Sequence, residues 1–268
     1  MMITKVIISI TMTAALLVGN HCDAKDKVSV DDLVSNVNRA SYYAGDDGRS
    51  DARMIVIDKD GNKQLRQFVI LRKDREDEGD QSFLVVFSRP TDVKDTVFLV
   101  DKKVKSDDDR WLYLPGLDLV KRISAGDKRT SFVGTDYYYE DVSGRNPALD
   151  SHHIINQTED TYLLKSVPKE SGEVEFSYYQ STISKETFLP MTVEYFNDDN
   201  KLYRKVEVVE VKEIEGIPTV IKSQVKNLET GSTTLLQFRK PRYNLGIPDD
   251  VFTTRSLRSP PRQWLEAK

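Results

Sequence analysis

Cysteine is almost absent from this chain: Cys22 is the single one in 268 residues. A lone thiol excludes an intramolecular disulfide and a zinc site built from several thiolates. Histidine is nearly as scarce, with His152 and His153 the only two beyond the first 24 residues. They are adjacent, so on a strand they point to opposite faces and cannot chelate one metal together. A surface or turn position is expected for both. No Gly-x-Ser-x-Gly elbow is present to carry a Ser-His-Asp triad, and strands do not alternate with helices. No glycine-rich phosphate loop occurs either, since Gly134 and Gly144 stand isolated. A cationic excess is also missing. The 39 Lys and Arg face 43 Asp and Glu, a net charge of −4, which leaves no surplus to neutralise a nucleic-acid backbone. These absences argue against an enzyme and against nucleic acid as a partner. No catalytic residue, metal or cofactor is expected, and a hydrolase has no motif to support it.

Long apolar runs are missing too, with one exception at the start. Lys5 supplies a positive charge, and an apolar run from Val6 through Leu16 and Leu17 to Gly19 follows. The chain then turns polar at Asn20 and reaches small residues around Ala24. Charge, apolar core and small-residue site make residues 1–24 a secretory signal peptide. The run is shorter than the roughly 20 residues of a spanning helix, the competing reading. Cleavage after Ala24 would remove Cys22. Lipidation of Cys22 is disfavoured because Asn20 and His21 are too polar and too large for that signal. Residues 25–268 are then expected to form one domain, monomeric and located in the periplasm.

Helical signal is sparse. Ser29 can cap, Asp31 and Asp32 suit the positive end, and Val30, Leu33, Val34 and Val37 fall on one face, which predicts a helix over 30–41. The remainder reads as strands separated by turn-formers. Strands are expected at 54–58, 64–71, 83–87, 96–100, 111–114, 119–123, 162–167, 174–179, 191–196, 202–211, 219–225 and 233–238. Short connections imply antiparallel neighbours. Val174, Phe176 and Tyr178 share one face, as do Met191, Val193 and Tyr195, so one face is apolar and the other wet. A sheet this wide must curl. One short helix cannot cover its apolar side, and the uncovered part would line a cavity.

Other segments carry blander expectations. Asp107-Asp108-Asp109 and residues 73–80 read as charged, solvated loop tips, without the spaced oxygen ligands of a calcium loop. Tyr137-Tyr138-Tyr139 reads as a connecting segment packed on the sheet. Trp111 and Tyr113 occupy one face of their strand, Leu112 and Leu114 the other. The tail around Trp264 is expected to close over one end of the sheet.

The stretch from Trp111 to Asp141 is distinctive: Trp111-Leu112-Tyr113-Leu114-Pro115, Lys121-Arg122-Ile123-Ser124, Ser131-Phe132-Val133-Gly134-Thr135-Asp136 and Tyr139-Glu140-Asp141. It resembles the outer-membrane lipoprotein-sorting-like family, a branch of the superfamily that contains the periplasmic lipoprotein carrier LolA. Arg89-Pro90 with the following Thr96–Val100, and Ile247-Pro248-Asp249-Asp250-Val251-Phe252 with Leu257, fit the same branch; Asp95 departs from a usual glycine. The resemblance implies a mainly β (α+β) fold: a strongly curved antiparallel sheet forming an incomplete, half-open β-barrel wrapped around one or a few short helices. It implies a carrier that binds a lipid or lipoprotein acyl chains and moves them between inner and outer membranes. An inner-membrane exporter of the resistance-nodulation-division type and an outer-membrane acceptor would be its partners. The alternative is a periplasmic sensor or adaptor associated with such an exporter. Arg122 is expected to brace Asp136, Glu140 or Asp141. The cavity wall is expected to include Leu33, Val34 and Val37 on the helix, and Phe176, Tyr178, Met191, Val193 and Tyr195 on facing strands.

Overall fold

The structure is a computed structural model that describes residues 28–266. The segment expected to be a signal peptide, residues 1–24, lies outside the described residues. Helix α1 spans Val30–Tyr42. It starts where expected because the Ser29 hydroxyl accepts from the Asp32 amide at 3.0 Å, with Asp31 and Asp32 at the positive end of the dipole.

Six strands follow: β1 Asp47–Ile57, β2 Lys63–Asp74, β3 Gln81–Arg89, β4 Val97–Lys102, β5 Asp109–Leu114 and β6 Leu119–Ile123. A connector over residues 124–149, containing the short helix α2 (Tyr139–Ser143), leads to the second run. That run is β7 Asp150–Gln157, β8 Thr161–Pro168, β9 Tyr178–Ser184, β10 Pro190–Phe196, β11 Leu202–Ile214, β12 Ile217–Asn227 and β13 Thr233–Tyr243. Two single-turn helices, α3 (Arg255–Arg258) and α4 (Arg262–Leu265), end the chain.

All thirteen strands form one antiparallel sheet in the order β6-β5-β4-β3-β2-β1-β13-β12-β11-β10-β9-β8-β7. Each half is a meander, because short loops join only neighbours. The halves meet where β1 pairs with β13, from Gly48 opposite Tyr243 to Ile57 opposite Thr233. The two edges, β6 and β7, do not pair with each other, so the curved sheet stays a half-open barrel.

The sheet is buried on both sides near β3 and β4, which explains the unbroken apolar run Phe83–Phe87. On the concave side Phe83, Val85, Phe87, Phe98 and Val100 pack with Phe68, Met54 and Leu236. The connector drops Phe132 into this layer, where its ring lies 5.4–6.4 Å from those of Phe68, Phe87 and Phe98 and 5.6 Å from Tyr139. On the convex side Leu84, Val86, Val97 and Leu99 are covered by Ile247, Val251, Phe252 and Leu257, with Trp111, Tyr113 and Trp264 alongside. The tail thus closes over the outer face of this part of the sheet.

Several local expectations are corrected. Strand β7 carries both histidines and gave no strand signal. His152 is half-buried, between the Ser166 hydroxyl at 2.8 Å and the Pro147 carbonyl at 2.9 Å, while His153 is exposed. The strand expected over 174–179 begins only at Tyr178, because Phe176 is drawn out of line to pack beneath two arginines. Asp74 and Asp108 are not solvated loop tips. Asp74 accepts from Arg72 and Gln81, and Asp108 is almost fully buried against Arg110.

Candidate functional site

A cavity of about 410 Å³ lies between the concave sheet and the segments laid across it. That volume falls in the range of small-molecule sites. Its walls are mostly apolar. The central strands β1 to β3 contribute Met54, Phe68, Ile70, Phe83 and Val85, and β11 and β13 contribute Val206, Val208, Leu236 and Phe238. The roof is the last turn of α1 (Ala40, Ser41, Tyr42) with Phe132, Tyr137 and Val142 of the connector.

Two of the eight residues expected in the wall line this cavity: Val193 and Tyr195. The other six stand elsewhere. Leu33, Val34 and Val37 seal α1 onto Leu164 and Ile183 of β8 and β9, so the apolar stripe of the helix is consumed by its own sheet. Phe176 is buried in a separate aromatic cluster with Tyr195 and Tyr203. Tyr178 stacks on Phe196 at 4.7 Å, with the Lys165 ammonium 3.9 Å from its ring centroid. Met191 is removed by a bulge: Pro190 pairs with Ile183 and Thr192 with Thr182, leaving Met191 without a partner. The period-2 alternation breaks there, and Pro190 takes a place in the wall instead.

The polar atoms in the wall are largely satisfied within the protein. Tyr137 and Ser223 share a hydrogen bond of 2.7 Å, and Thr219 and Tyr243 one of 2.8 Å. Ser41 Oγ is the exception; it is buried and has no partner among the described residues. Arg72 ties the end of α1 to β2, donating to the carbonyls of Tyr42, Ala44 and Gly45 and to the Asp74 carboxylate. Tyr42 is wedged more tightly still. A Cβ added at Gly144, where φ is +77°, would sit 2.3 Å from the Tyr42 ring. Lys102 donates to the Ser143 carbonyl at 2.6 Å and lies 4.8 Å from the centroid of the same ring. Burial pushes this ammonium down to about 8.

Behind the Tyr195 wall sits a lattice of ion pairs built on buried arginines. Arg129 donates to Glu175 at 2.6 Å and to Glu140 at 3.1 Å, and its guanidinium lies 4.9 Å from the rings of Tyr138, Phe176 and Tyr195. Burial alone would raise the Glu175 carboxyl, but the bonds and charge of Arg129 hold it below its ordinary value. Arg145 joins Asp150 at 2.8 Å. Arg204, 1% exposed, pairs with Asp141. These arginines do the bracing expected of Arg122. Arg122 itself is 70% exposed on edge strand β6 and pairs with Asp109. No spacing in the sequence singles out residues 129, 145 and 204, because they meet only through the tertiary fold. The motif residue Asp136 has its own role, accepting from Ser232 and Thr234 and so latching the Phe132 loop to β13.

No helix among the described residues is long and apolar enough to cross a membrane. A family model described as an uncharacterized protein matches residues 79–259. Among curated proteins none matches. A DUF1329 family protein from Desulfovibrio piger is 29% identical, with 84% of this chain and 96% of that one covered at a TM-score of 0.77. A putative outer membrane lipoprotein-sorting protein domain from Vibrio parahaemolyticus is 22% identical over 84% and 97%, also at 0.77. A LolA superfamily protein from Nitrosomonas europaea is 15% identical over 85% and 99%, at 0.66. The family match spans well over half of the sequence, so the chain belongs to that family, and its fold is the LolA-like half-open barrel.

Proposed function

We propose that this member of the family is a periplasmic carrier that holds the hydrocarbon of a lipid or lipoprotein in the cavity under α1. The observation that carries the reading is the apolar 410 Å³ space left after α1 and Phe132 have taken their share of the concave face. Each methylene moved from water into such a wall contributes about 0.8 kcal/mol, so one chain gives useful affinity with few polar contacts. The polar atoms of the wall are mostly occupied by one another, which suits hydrocarbon better than a polar metabolite. The lipoprotein-sorting name of the Vibrio neighbour agrees with this cargo. Residues 25–268 act as one monomeric domain after removal of residues 1–24, exchanging cargo with membrane machinery on either side and performing no catalysis.

The test is binding of a fluorescent fatty acid to the purified mature chain. Saturable binding near one equivalent, lost on displacement by unlabelled palmitate, is expected. No saturable binding would overturn the reading.

A further inference from the structure

The convex face of the sheet carries a second cleft, of about 240 Å³, where α4 meets the start of β1 and the end of β13. Arg49 fixes the side of the sheet on which it lies. Its partner on β2 is Leu71, which packs in the convex-side cluster under the tail. Gly48 and Ser50, on either side of it in the strand, line the concave cavity instead.

Three cations meet in this cleft. Arg49 and Arg242 are cross-strand partners. Lys240 joins them through a bulge: Arg49 pairs with Arg242 and Asp51 with Arg239, so Lys240 and Pro241 together face Ser50. Lys240 takes φ +49°, a left-handed backbone that is costly for a residue with a side chain. Bulges re-aim side chains, and this one places a third cation in the cleft wall. Like charges set directly opposite destabilise a sheet. Glu266 is the single carboxylate among the lining residues, on a chain whose overall charge is −4. The sign of the chain is therefore reversed locally.

Two donors here lack acceptors. Arg49 is 7% exposed, and its Nε and Nη2 are held at 2.7–2.9 Å by the Trp264 and Leu265 carbonyls and by Asp51. Its Nη1 has no acceptor among the described residues. Trp264 lines the cleft, and its Nε1 is buried and likewise without an acceptor among the described residues. Burying a donor unsatisfied is costly unless something arrives to accept from it. Lys240 and Arg242 are exposed and form no ion pair among the described residues.

We propose that this cleft binds a phosphate group, with Arg49 Nη1, Lys240, Arg242 and the Trp264 indole as its donors. A phosphate presents four oxygens around one centre, against two for a carboxylate, and guanidinium forks suit it. A phospholipid head group and a soluble phosphate ester share this chemistry. The site lies across the sheet from the acyl cavity and is independent of the carrier reading.

The test follows the emission of Trp264 in the purified Trp111→Phe protein, where it is the only tryptophan. The titrants are glycerol phosphate, phosphatidylglycerol vesicles and phosphatidylcholine vesicles, with potassium chloride at matched ionic strength as the control. Saturable binding of glycerol phosphate, of phosphatidylglycerol vesicles, or of both is expected, with none for chloride. A response to glycerol phosphate assigns a soluble ester; a response to phosphatidylglycerol vesicles alone assigns the lipid head group. Replacing both exposed cations, Lys240→Gln with Arg242→Gln, should weaken binding about tenfold or more without moving the urea midpoint. No response to any phosphate compound, an equal response to chloride, vesicle binding alone with no preference for phosphatidylglycerol over phosphatidylcholine, or undiminished affinity in the double variant would overturn the inference. Each of those results leaves fatty-acid binding on the concave side untouched.

Discussion

Tyr42 keeps its position in the cavity roof because Gly144 has no side chain. Gly144→Ala meets both a ring at 2.3 Å and a backbone at φ +77°. Strain of that kind costs about 1–3 kcal/mol, and the ring must move. The expected outcome is a lower denaturation midpoint together with weaker fatty-acid uptake. Adding Tyr42→Ala in the same chain should recover part of the stability, since the clash is a pairwise effect that a double-mutant cycle isolates. Val193 sets the wall more simply. Val193→Asp places a carboxylate against hydrocarbon, and fluorescent fatty-acid binding should be abolished in a folded but less stable protein. Unchanged binding would place the cargo elsewhere. Lys102 gives a pH signature. Its ammonium sits at about 8 in the fold against an ordinary 10.5. Between those values the unfolded chain holds a proton that the folded chain has released, so stability rises with pH across that window. Tyr42 and Tyr137, raised by burial, oppose the trend once ordinary tyrosines ionise near pH 10. Urea midpoints should climb from pH 8 towards 9.5, and Lys102→Met should flatten the rise. Identical slopes in the two proteins would exclude Lys102 as its cause.

At the scale of elements, α1 is held by two different devices. Its apolar stripe docks on β8 and β9, and the carbonyl of its last residue, Tyr42, accepts from Arg72 together with those of Ala44 and Gly45 just beyond. Arg72→Met removes the donor and leaves the half-buried Asp74 with Gln81 alone; loss of a hydrogen bond to a charged group costs about 1.5–3 kcal/mol. Chemical denaturation should show that loss, and amide exchange should quicken first in the last turn of α1. The same element shows how far sequence reaches. Its start was legible because Ser29, Asp31 and Asp32 act locally, and its end fell within a residue of expectation. What the stripe touches was not legible. Leu33, Val34 and Val37 share a face on any helix, but only the tertiary fold decides whether that face meets cargo or β8. Strand β7 was missed because an edge strand with Ser151, His153, Asn156 and Gln157 exposed has little alternation to read. Met191 was misplaced because a bulge is invisible in a pattern of period two. Helix α2 spans only five residues, Tyr139–Ser143, too short for a helical period to show.

For the whole molecule, the thirteen-strand sheet of the described residues does not close, and an apolar cavity remains on its concave side beneath α1 and the connector. The width was readable from the succession of short strands, and the curl follows from twist. The filling was not: Phe132 and the Arg129, Arg145 and Arg204 pairs are brought together by residues far apart in the chain. Together they wall in the cavity, fixing Tyr195 on one side and the connector above. The proposed carrier function depends on that cavity holding hydrocarbon. Its most direct test is native mass spectrometry of the protein purified from its cells without detergent, followed by organic extraction. A loaded carrier should appear as a species heavier than the polypeptide by an acyl compound, released on extraction and rebound when supplied again. A protein that is empty as isolated and stays empty when acyl compounds are supplied would contradict it.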